Sequence, residues 1–308
     1  MANSNIRIVF MGTPDFAVAS LDTLVQHHYN IVGVITAPDK PAGRGLQLSE
    51  SAVKKYATAH NIPVLQPEKL KNEEFLAALR ALQADLQVVV AFRMLPEVVW
   101  NMPPMGTINV HASLLPDYRG AAPINWAVIN GEKQSGVTTF KLQQAIDTGN
   151  ILFSATVPIR EDETAGELHD DLMQTGASLL LKTVEALASG NFQETPQPTV
   201  VNAKHAPKIF KEDCQINWEK PVAEIYNLVR GLSPYPTAWT MLHHKTLKIF
   251  KAAKELTIPQ EAPGTPLSDH KTFLKFATPD GYLQILTLQL EGKKQMEVEE
   301  FLRGYRFA

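Results

Sequence analysis

The sequence predicts an α/β protein: a Rossmann-like, mostly parallel sheet with helices on both faces, followed by a small carboxyl-terminal β-barrel of OB-like type. Three observations lead there. The chain has 308 residues, too many for one small domain and enough for two. Its first half alternates strand and helix signals, which means parallel strands joined by helical crossovers. Past a polar, Pro-rich stretch the pattern turns to β alternation. Hydrophobic residues make up 44% and charged residues 20%, so apolar material suffices for two cores.

The elements follow in order. Residues 6–10, Ile-Arg-Ile-Val-Phe, form a short β-rich run that ends at Gly12. Val18, Leu21 and Val25 then mark a helix, with Thr13 as its cap and Pro14 in its first turn. Residues 31–35 read as the next strand, 38–45 as a loop rich in Pro and Gly, and 52–60 as helix. A strand stub at 63–65 precedes a helix over 73–82. Residues 86–92 are nearly all apolar, as in a strand buried on both faces. Further strands fall at 106–110, 137–142 and 151–157. The later ones have few helices between them, which predicts a mixed sheet at one end. Leu168, Leu172, Leu179, Leu180, Val184 and Leu187 define a long amphipathic helix over 165–188. Composition shifts near Gly190, and residues 193–200, with Pro196 and Pro198, read as an extended linker. A helix over 222–232 precedes strands at 248–250, 272–277 and 282–290, the last two joined by a Pro279-Asp280-Gly281 turn. The expected division is an α/β domain over 1–190, a linker over 191–208 and a barrel over 209–308.

Several function classes are disfavoured. A net charge of −3 argues against a uniformly basic nucleic-acid surface but leaves room for a local basic strip. The single Cys214 excludes an intramolecular disulfide and a Cys-based zinc site, and the nine histidines show no ligand spacing, so no metal is expected. No apolar run approaches the roughly 20 residues that span a bilayer, and the polar start lacks a signal-peptide plan, so a cytoplasmic protein is expected. The turn at Gly12 sits where nucleotide-binding folds hold phosphate. Only one glycine is present, Pro14 removes a donor and Asp15 adds negative charge, so it reads as a tight strand-to-helix turn beside the active site.

Residues 107–120 carry the chemistry. Asn109 and His111 lie two apart at a strand end and share one face. An amide and an imidazole side by side can both donate to one oxygen, as a carbonyl requires when it becomes an oxyanion. The plainer reading of His111 is a packed or loop-capping histidine. Ser113 and a loop rich in Pro, Arg and Gly favour the functional one. Asp147, in Asp147-Thr148-Gly149 between two strands, is either a simple turn residue or a group that orients His111 and handles a proton.

Asn109-Val-His111-Ala-Ser113-Leu-Leu-Pro116, followed by Asp147-Thr-Gly149, resembles the folate-dependent formyltransferase family. Further pieces are similar to the branch of that family whose formyl acceptor is methionine esterified to initiator tRNA. They are Met11-Gly12-Thr13-Pro14-Asp15-Phe16-Ala17, Pro41-Ala-Gly43-Arg44-Gly45, Tyr118-Arg-Gly120-Ala-Ala-Pro123, Ala206-Pro207-Lys208-Ile209, Val229-Arg230-Gly231-Leu232 and Gly292-Lys293-Lys294. The resemblance runs in order through essentially the whole chain. One departure is local: the family has a Tyr-Gly turn where this chain reads Ala91-Phe92-Arg93-Met94-Leu95-Pro96.

The resemblance implies a formyltransferase fold over 1–190 and a tRNA-binding barrel over 209–308. It implies 10-formyltetrahydrofolate as co-substrate, initiator methionyl-tRNA as partner, no metal, and a monomer active in translation initiation. Asn109, His111 and Asp147 become the catalytic set. Phe92, Arg93, Met94, Leu95, Ser113, Leu114, Leu115, Pro116 and Asp147 become the folate contacts. Ser113 is structural rather than nucleophilic, since no acyl-enzyme is needed. Lys40, Arg44, Lys54, Lys55 and Lys208 become tRNA contacts, with the 38–48 loop as an arm against the acceptor stem; the alternative is an ordinary surface loop. The competing functions are a small-amine formyltransferase, which needs no barrel, a formyltetrahydrofolate hydrolase, and an RNA-binding module with an inactive catalytic fold.

Overall fold

A computed structural model of the chain describes residues 5–42, 47–198 and 202–305. The elements of the first part are β1 (Arg7–Gly12), α1 (Asp15–Gln26), β2 (Asn30–Ile35), β3 (Lys40–Ala42), β4 (Gln47–Ser49), α2 (Ala52–Ala59), β5 (Val64–Leu65), α3 (Glu73–Ala81), β6 (Leu86–Val90), α4 (Glu97–Trp100), β7 (Thr107–His111), β8 (Arg119–Gly120), α5 (Pro123–Ile129), β9 (Gln134–Lys141), β10 (Ile151–Pro158) and α6 (Ala165–Ser189). They are followed by β11 (His205–Ala206), α7 (Val222–Gly231), β12 (Ala238–Leu242), β13 (Lys245–Glu255), β14 (Pro266–Ser268), β15 (Leu274–Ala277), β16 (Tyr282–Leu290), β17 (Met296–Glu297) and α8 (Val298–Gly304).

The chain divides into two compact units. One comprises 1–119, 136–157 and 170–204; the other comprises 120–135, 158–169 and 205–308. The units interleave along the sequence.

The first unit is built on a seven-stranded sheet in the order β10-β9-β7-β6-β1-β2-β5. β1 pairs in parallel with β2 and β6, and β6 in parallel with β7. β7 pairs antiparallel with β9, so the sheet is mixed at the expected end. β6 is buried along its whole length, because helices cover both faces of a parallel sheet. Val9, Met11, Ile35, Val89 and Leu79 form part of the core on one face. On the other, Gly176 of α6 leaves room for Val110 and Val137 of the sheet.

The strand order reverses between β1 and β6. The carboxyl ends of these strands pair, Gly12 with Val90, and β7 runs alongside with Val110 against Val90. In open α/β sheets, ligands bind outside such carboxyl ends at the point of reversal. A side chain at Gly12 would meet the Ala17 Cβ at 2.6 Å and the Val90 carbonyl at 3.0 Å, so this turn requires glycine for close packing. Pro14, not Thr13, occupies the N-cap of α1, and no side chain caps it. The helix instead starts through a Pro14 carbonyl that accepts from the Ala17 N–H at 3.0 Å.

The segments read as loop and linker hold paired backbone among the described residues, while 43–46 and 199–201 lie outside them. The base of the 38–48 loop is a hairpin, with Lys40 opposite Ser49 and Ala42 opposite Gln47. The linker residue Thr195 exchanges two backbone hydrogen bonds with Ile151 of β10, at 2.8 and 2.9 Å.

The second unit holds an antiparallel sheet in the order β12-β13-β16-β15-β14, with β17 also on β16. It curls into a half-barrel around Leu247, Ile249, Phe276, Leu283, Ile285 and Leu288. α7 lays Ile225, Tyr226 and Val229 into that core. β13 is longer than the sequence pattern suggests and β12 is a strand that pattern does not mark; they meet at a two-residue turn, His243-His244, both with positive φ (45° and 64°). That geometry usually recruits Asn-Gly, which is why the pair reads only as surface histidines in the sequence.

Candidate active site

His111 ends β7, opposite Thr138 of β9, and Asn109 lies two residues earlier, opposite Phe140. The pleat therefore places both on one face at the carboxyl end of the sheet. Asn109 is half-buried and His111 buried. The imidazole is held from both sides. Its Nε2 lies 2.9 Å from the backbone carbonyl of Tyr118, which can only accept, so Nε2 carries a hydrogen. Its Nδ1 faces the Asp147 carboxylate, Oδ2 at 3.9 Å. That separation is ion-pair range but too long for a hydrogen bond. A hydrogen carried by Nδ1 is thus not consumed by the carboxylate and can be given to another oxygen.

Asp147 is itself buried and sits in the left-handed region, φ 53°. A non-glycine residue holds that conformation only where its surroundings enforce it. Two features do so. Gly149 packs so tightly that a Cβ there would lie 1.6 Å from the Lys141 carbonyl. The side-chain amide of Gln197 donates to the carbonyls of Asp147 and Gly149, both at 2.8 Å.

The remaining expected residues fall into distinct environments. Leu95 and Leu115 are buried, Leu114 and Pro116 half-buried, and the Leu115–Pro116 peptide is cis. The Ser113 hydroxyl is buried and donates to the Asp117 carbonyl at 2.7 Å, a loop-forming bond consistent with a structural role. Phe92 to Leu95 follow β6 through Ala91, which has φ 47°. Arg93 donates to the carbonyls of Pro67 and Glu68, and its guanidinium lies 5.6 Å from the Phe92 ring centre. Met94 is 71% exposed at the sheet's carboxyl edge.

Among the basic residues, Lys40, Lys55 and Lys208 are exposed. Arg44 lies outside the described residues. Lys54 is engaged: its ammonium pairs with Asp39 and, at 2.9 Å, with Glu50. Asp39 also accepts from Gln66 at 2.8 Å. The Lys54 hydrogen bond holds the Asp39 carboxyl below its ordinary range, and Asp39 raises Lys54 in turn. Lys54 thereby fastens the base of the β3–β4 hairpin. Among the described residues no group of three or more His, Cys, Asp or Glu is placed to hold a metal ion, and no helix is long and apolar enough to cross a membrane.

Sequence reasoning missed the Tyr118 carbonyl and Gln197. The first is a backbone atom and leaves no side-chain signature. The second stands alone in the polar stretch Pro196-Gln197-Pro198, where its only signal is a pair of flanking prolines that fix the backbone around one amide.

Tied to a carboxylate turn and a loop carbonyl at the end of a mixed α/β sheet, this Asn/His/Asp arrangement has the chemistry that acyl-type transfer requires, and the family model for formyl transferases matches residues 6–184. The model for the formyl transferase C-terminal domain matches residues 208–306. The chain belongs to the formyl transferase family. Its relatives include proteins named methionyl-tRNA formyltransferase from Bacteroides fragilis, 53% identical over 313 residues that cover 99% of this chain and 97% of the relative. Those of Parabacteroides distasonis (54% over 316 residues, 99% and 98%) and Flavobacterium johnsoniae (52% over 307 residues, 98% and 97%) bear the same name. Solved structures share the fold at lower identity. The sugar 3N-formyl transferase WlaRD aligns with TM-score 0.68 and 21% identity over 94% of this chain and 99% of that one. HypX of Aquifex aeolicus, crystallised with tetrahydrofolic acid, aligns with TM-score 0.67 and 20% identity over 98% of this chain, which spans 48% of HypX.

Proposed function

We propose that this protein transfers the formyl group of 10-formyltetrahydrofolate to the α-amino group of methionyl initiator tRNA, giving N-formylmethionyl-tRNA for translation initiation in the cytoplasm. The observation that carries this reading is His111, buried between the Tyr118 carbonyl and Asp147 on the same strand face as Asn109. Its support is identity above half, over nearly full length, to relatives named for that reaction.

The chemistry needs little activation. An α-amino group has a reference pKa of about 7.7–8.0, so a useful fraction is neutral at pH 7. Its nitrogen attacks the formyl carbon, and the formyl oxygen becomes negative. Asn109 and the Nδ1–H of the imidazolium donate to that oxygen. The bond from carbon to the folate nitrogen then breaks, that nitrogen takes a proton, and tetrahydrofolate leaves. Asp147 faces the imidazolium as counter-charge and accepts the proton lost by the amine, directly or through water. Phe92, Arg93, Met94, Leu95 and the 113–116 loop are the proposed folate contacts, following the strands at the reversal point. In this reading Arg44, Lys40, Lys55 and Lys208 meet tRNA phosphates, and Lys54 holds the arm's base. The domain division at 1–190, 191–208 and 209–308 and a monomeric state belong to the same proposal.

The test is formylation of charged initiator tRNA with 10-formyltetrahydrofolate. The expected product is N-formylmethionyl-tRNA. No product, or release of formate without tRNA, would overturn the reading, the latter in favour of a hydrolase.

A further inference from the structure

We infer that Gln197 is a positioning residue for the catalytic turn, an inference that rests on the functional reading above. Both ends of its amide are committed. Nε2 donates to the carbonyls of Asp147 and Gly149 at 2.8 Å each, which uses both of its hydrogens. Oε1 accepts from the Arg119 guanidinium, Nε at 3.1 Å and a terminal nitrogen as well. No other orientation of the amide satisfies carbonyls on one side and a guanidinium on the other.

The consequence is geometric. Arg119 directly follows Tyr118, whose carbonyl holds Nε2 of His111. Asp147 faces Nδ1 of the same ring. One amide therefore ties together the two loops that flank the imidazole, and sets the turn that presents the carboxylate. The segment carrying Gln197 is itself anchored. Thr195 pairs with Ile151, and Glu194 accepts from Asn150 at 3.0 Å and pairs with Lys141 at 2.6 Å. Past Pro198, Lys204 closes on the other loop: its N–H donates to Asp117 Oδ1 at 3.0 Å, and its carbonyl accepts from the Tyr118 N–H at 2.6 Å. Over residues 194–198, what the sequence presents as a linker is a strap across the site. Each of the two loops carries a residue in the left-handed region, Asp147 at φ 53° and Tyr118 at φ 59°.

Gln197→Met keeps the side chain's length and removes every hydrogen bond. Gln197→Glu keeps an acceptor for Arg119 and places an oxygen against two carbonyls. Both variants should lower kcat by about 10–100-fold, the scale of a misplacement near 1 Å, while the KM values for 10-formyltetrahydrofolate and Met-tRNA move less than about threefold. The deciding measurement is a double-mutant cycle in the full-length protein. In an Asp147→Asn background, Gln197→Met should cost less than about twofold further, because its effect runs through Asp147. A kcat within twofold of wild type in both single variants overturns the inference. So does a full additional loss in the Asp147→Asn background, or a kcat loss matched by the unfolded fraction in a thermal melt. If Asp147→Asn is itself as active as wild type, the reading of the site falls. A Gln197 effect could not then run through Asp147, and the inference falls with it.

Discussion

At the scale of single residues, the proposed site rests on two donors, Asn109 and His111, and a carboxylate, with the His111 ring and the Asp147 turn held through backbone carbonyls. His111 has its Nε2 occupied by the Tyr118 carbonyl, so under the proposed mechanism the hydrogen it offers is the one on Nδ1. His111→Ala and Asn109→Ala should each lower kcat by roughly 100–1000-fold, the cost of losing one oxyanion donor. KM values should stay within a few-fold; steady-state kinetics with both substrates check this, and near-normal turnover in either variant would remove that residue from the mechanism. Gly149 makes a second test. With the Lys141 carbonyl 1.6 Å from any Cβ, Gly149→Ala must displace the Asp147 turn. Turnover should fall about 100-fold even though no reacting group is removed. A fully active Gly149→Ala would mean the turn tolerates movement.

At the scale of elements, close approach and ion pairing decide what moves. α5 and α7 pack around Gly231, where a Cβ would lie 2.5 Å from the Ile129 side chain and 2.9 Å from its backbone nitrogen. Asn125 also donates to the Gly231 carbonyl at 2.8 Å. Because backbone cannot yield as a side-chain tip can, Gly231→Ala should destabilise by about 1–3 kcal/mol in a denaturant titration. The strap has its own pH dependence. Hydrogen bonds from Lys141 and then Asn150 hold the Glu194 carboxyl below its ordinary range. A lowered folded-state pKa means stability that is present above the unfolded value, about 4.3, and lost as pH falls through the folded value. The strap is thus fully fastened at neutral pH. Between pH 6 and pH 3 the melting temperature of the wild type should fall more than that of Glu194→Gln; parallel curves would show that this pair contributes nothing.

At the scale of the molecule, the interleaved units set the expectations. Residues 120–135 and 158–169 belong with 205–308, so a chain cut at 190 keeps α5 but not α7, its packing partner. Such a fragment should melt below the intact protein and bind a folate analogue more weakly, as calorimetry and titration would show. If instead it melts cooperatively at the same temperature, residues 1–190 fold alone. The intact protein carries a net charge of −3, so tRNA must be gripped by local cations. Its KM for Met-tRNA should rise steeply between 50 and 200 mM salt while that for folate does not, since only phosphate contacts release counterions. A flat salt series would leave the exposed lysines without an RNA role.

The sequence by itself determined a good deal. The strand–helix alternation, the β6 strand that is apolar apart from Gln87 and the long α6 specify a parallel sheet, because strands covered on both faces are nearly apolar throughout. Asn109 and His111 were legible because a strand's period of two places them on one face whatever the fold does elsewhere. Local patterns of this kind survive in any correct fold. The pairing of β3 with β4, the His243-His244 turn and the start of α1 at Pro14 were not legible, since each breaks the residue preference that usually marks its geometry. Only the tertiary structure decided that Asp147 faces His111, that the Tyr118 carbonyl selects the ring's donor, that Lys54 is spent on Asp39, and that Gln197 joins both loops. Those contacts link residues far apart in the chain, often through backbone atoms that every residue possesses. No pattern of side-chain types marks them before the chain closes on itself.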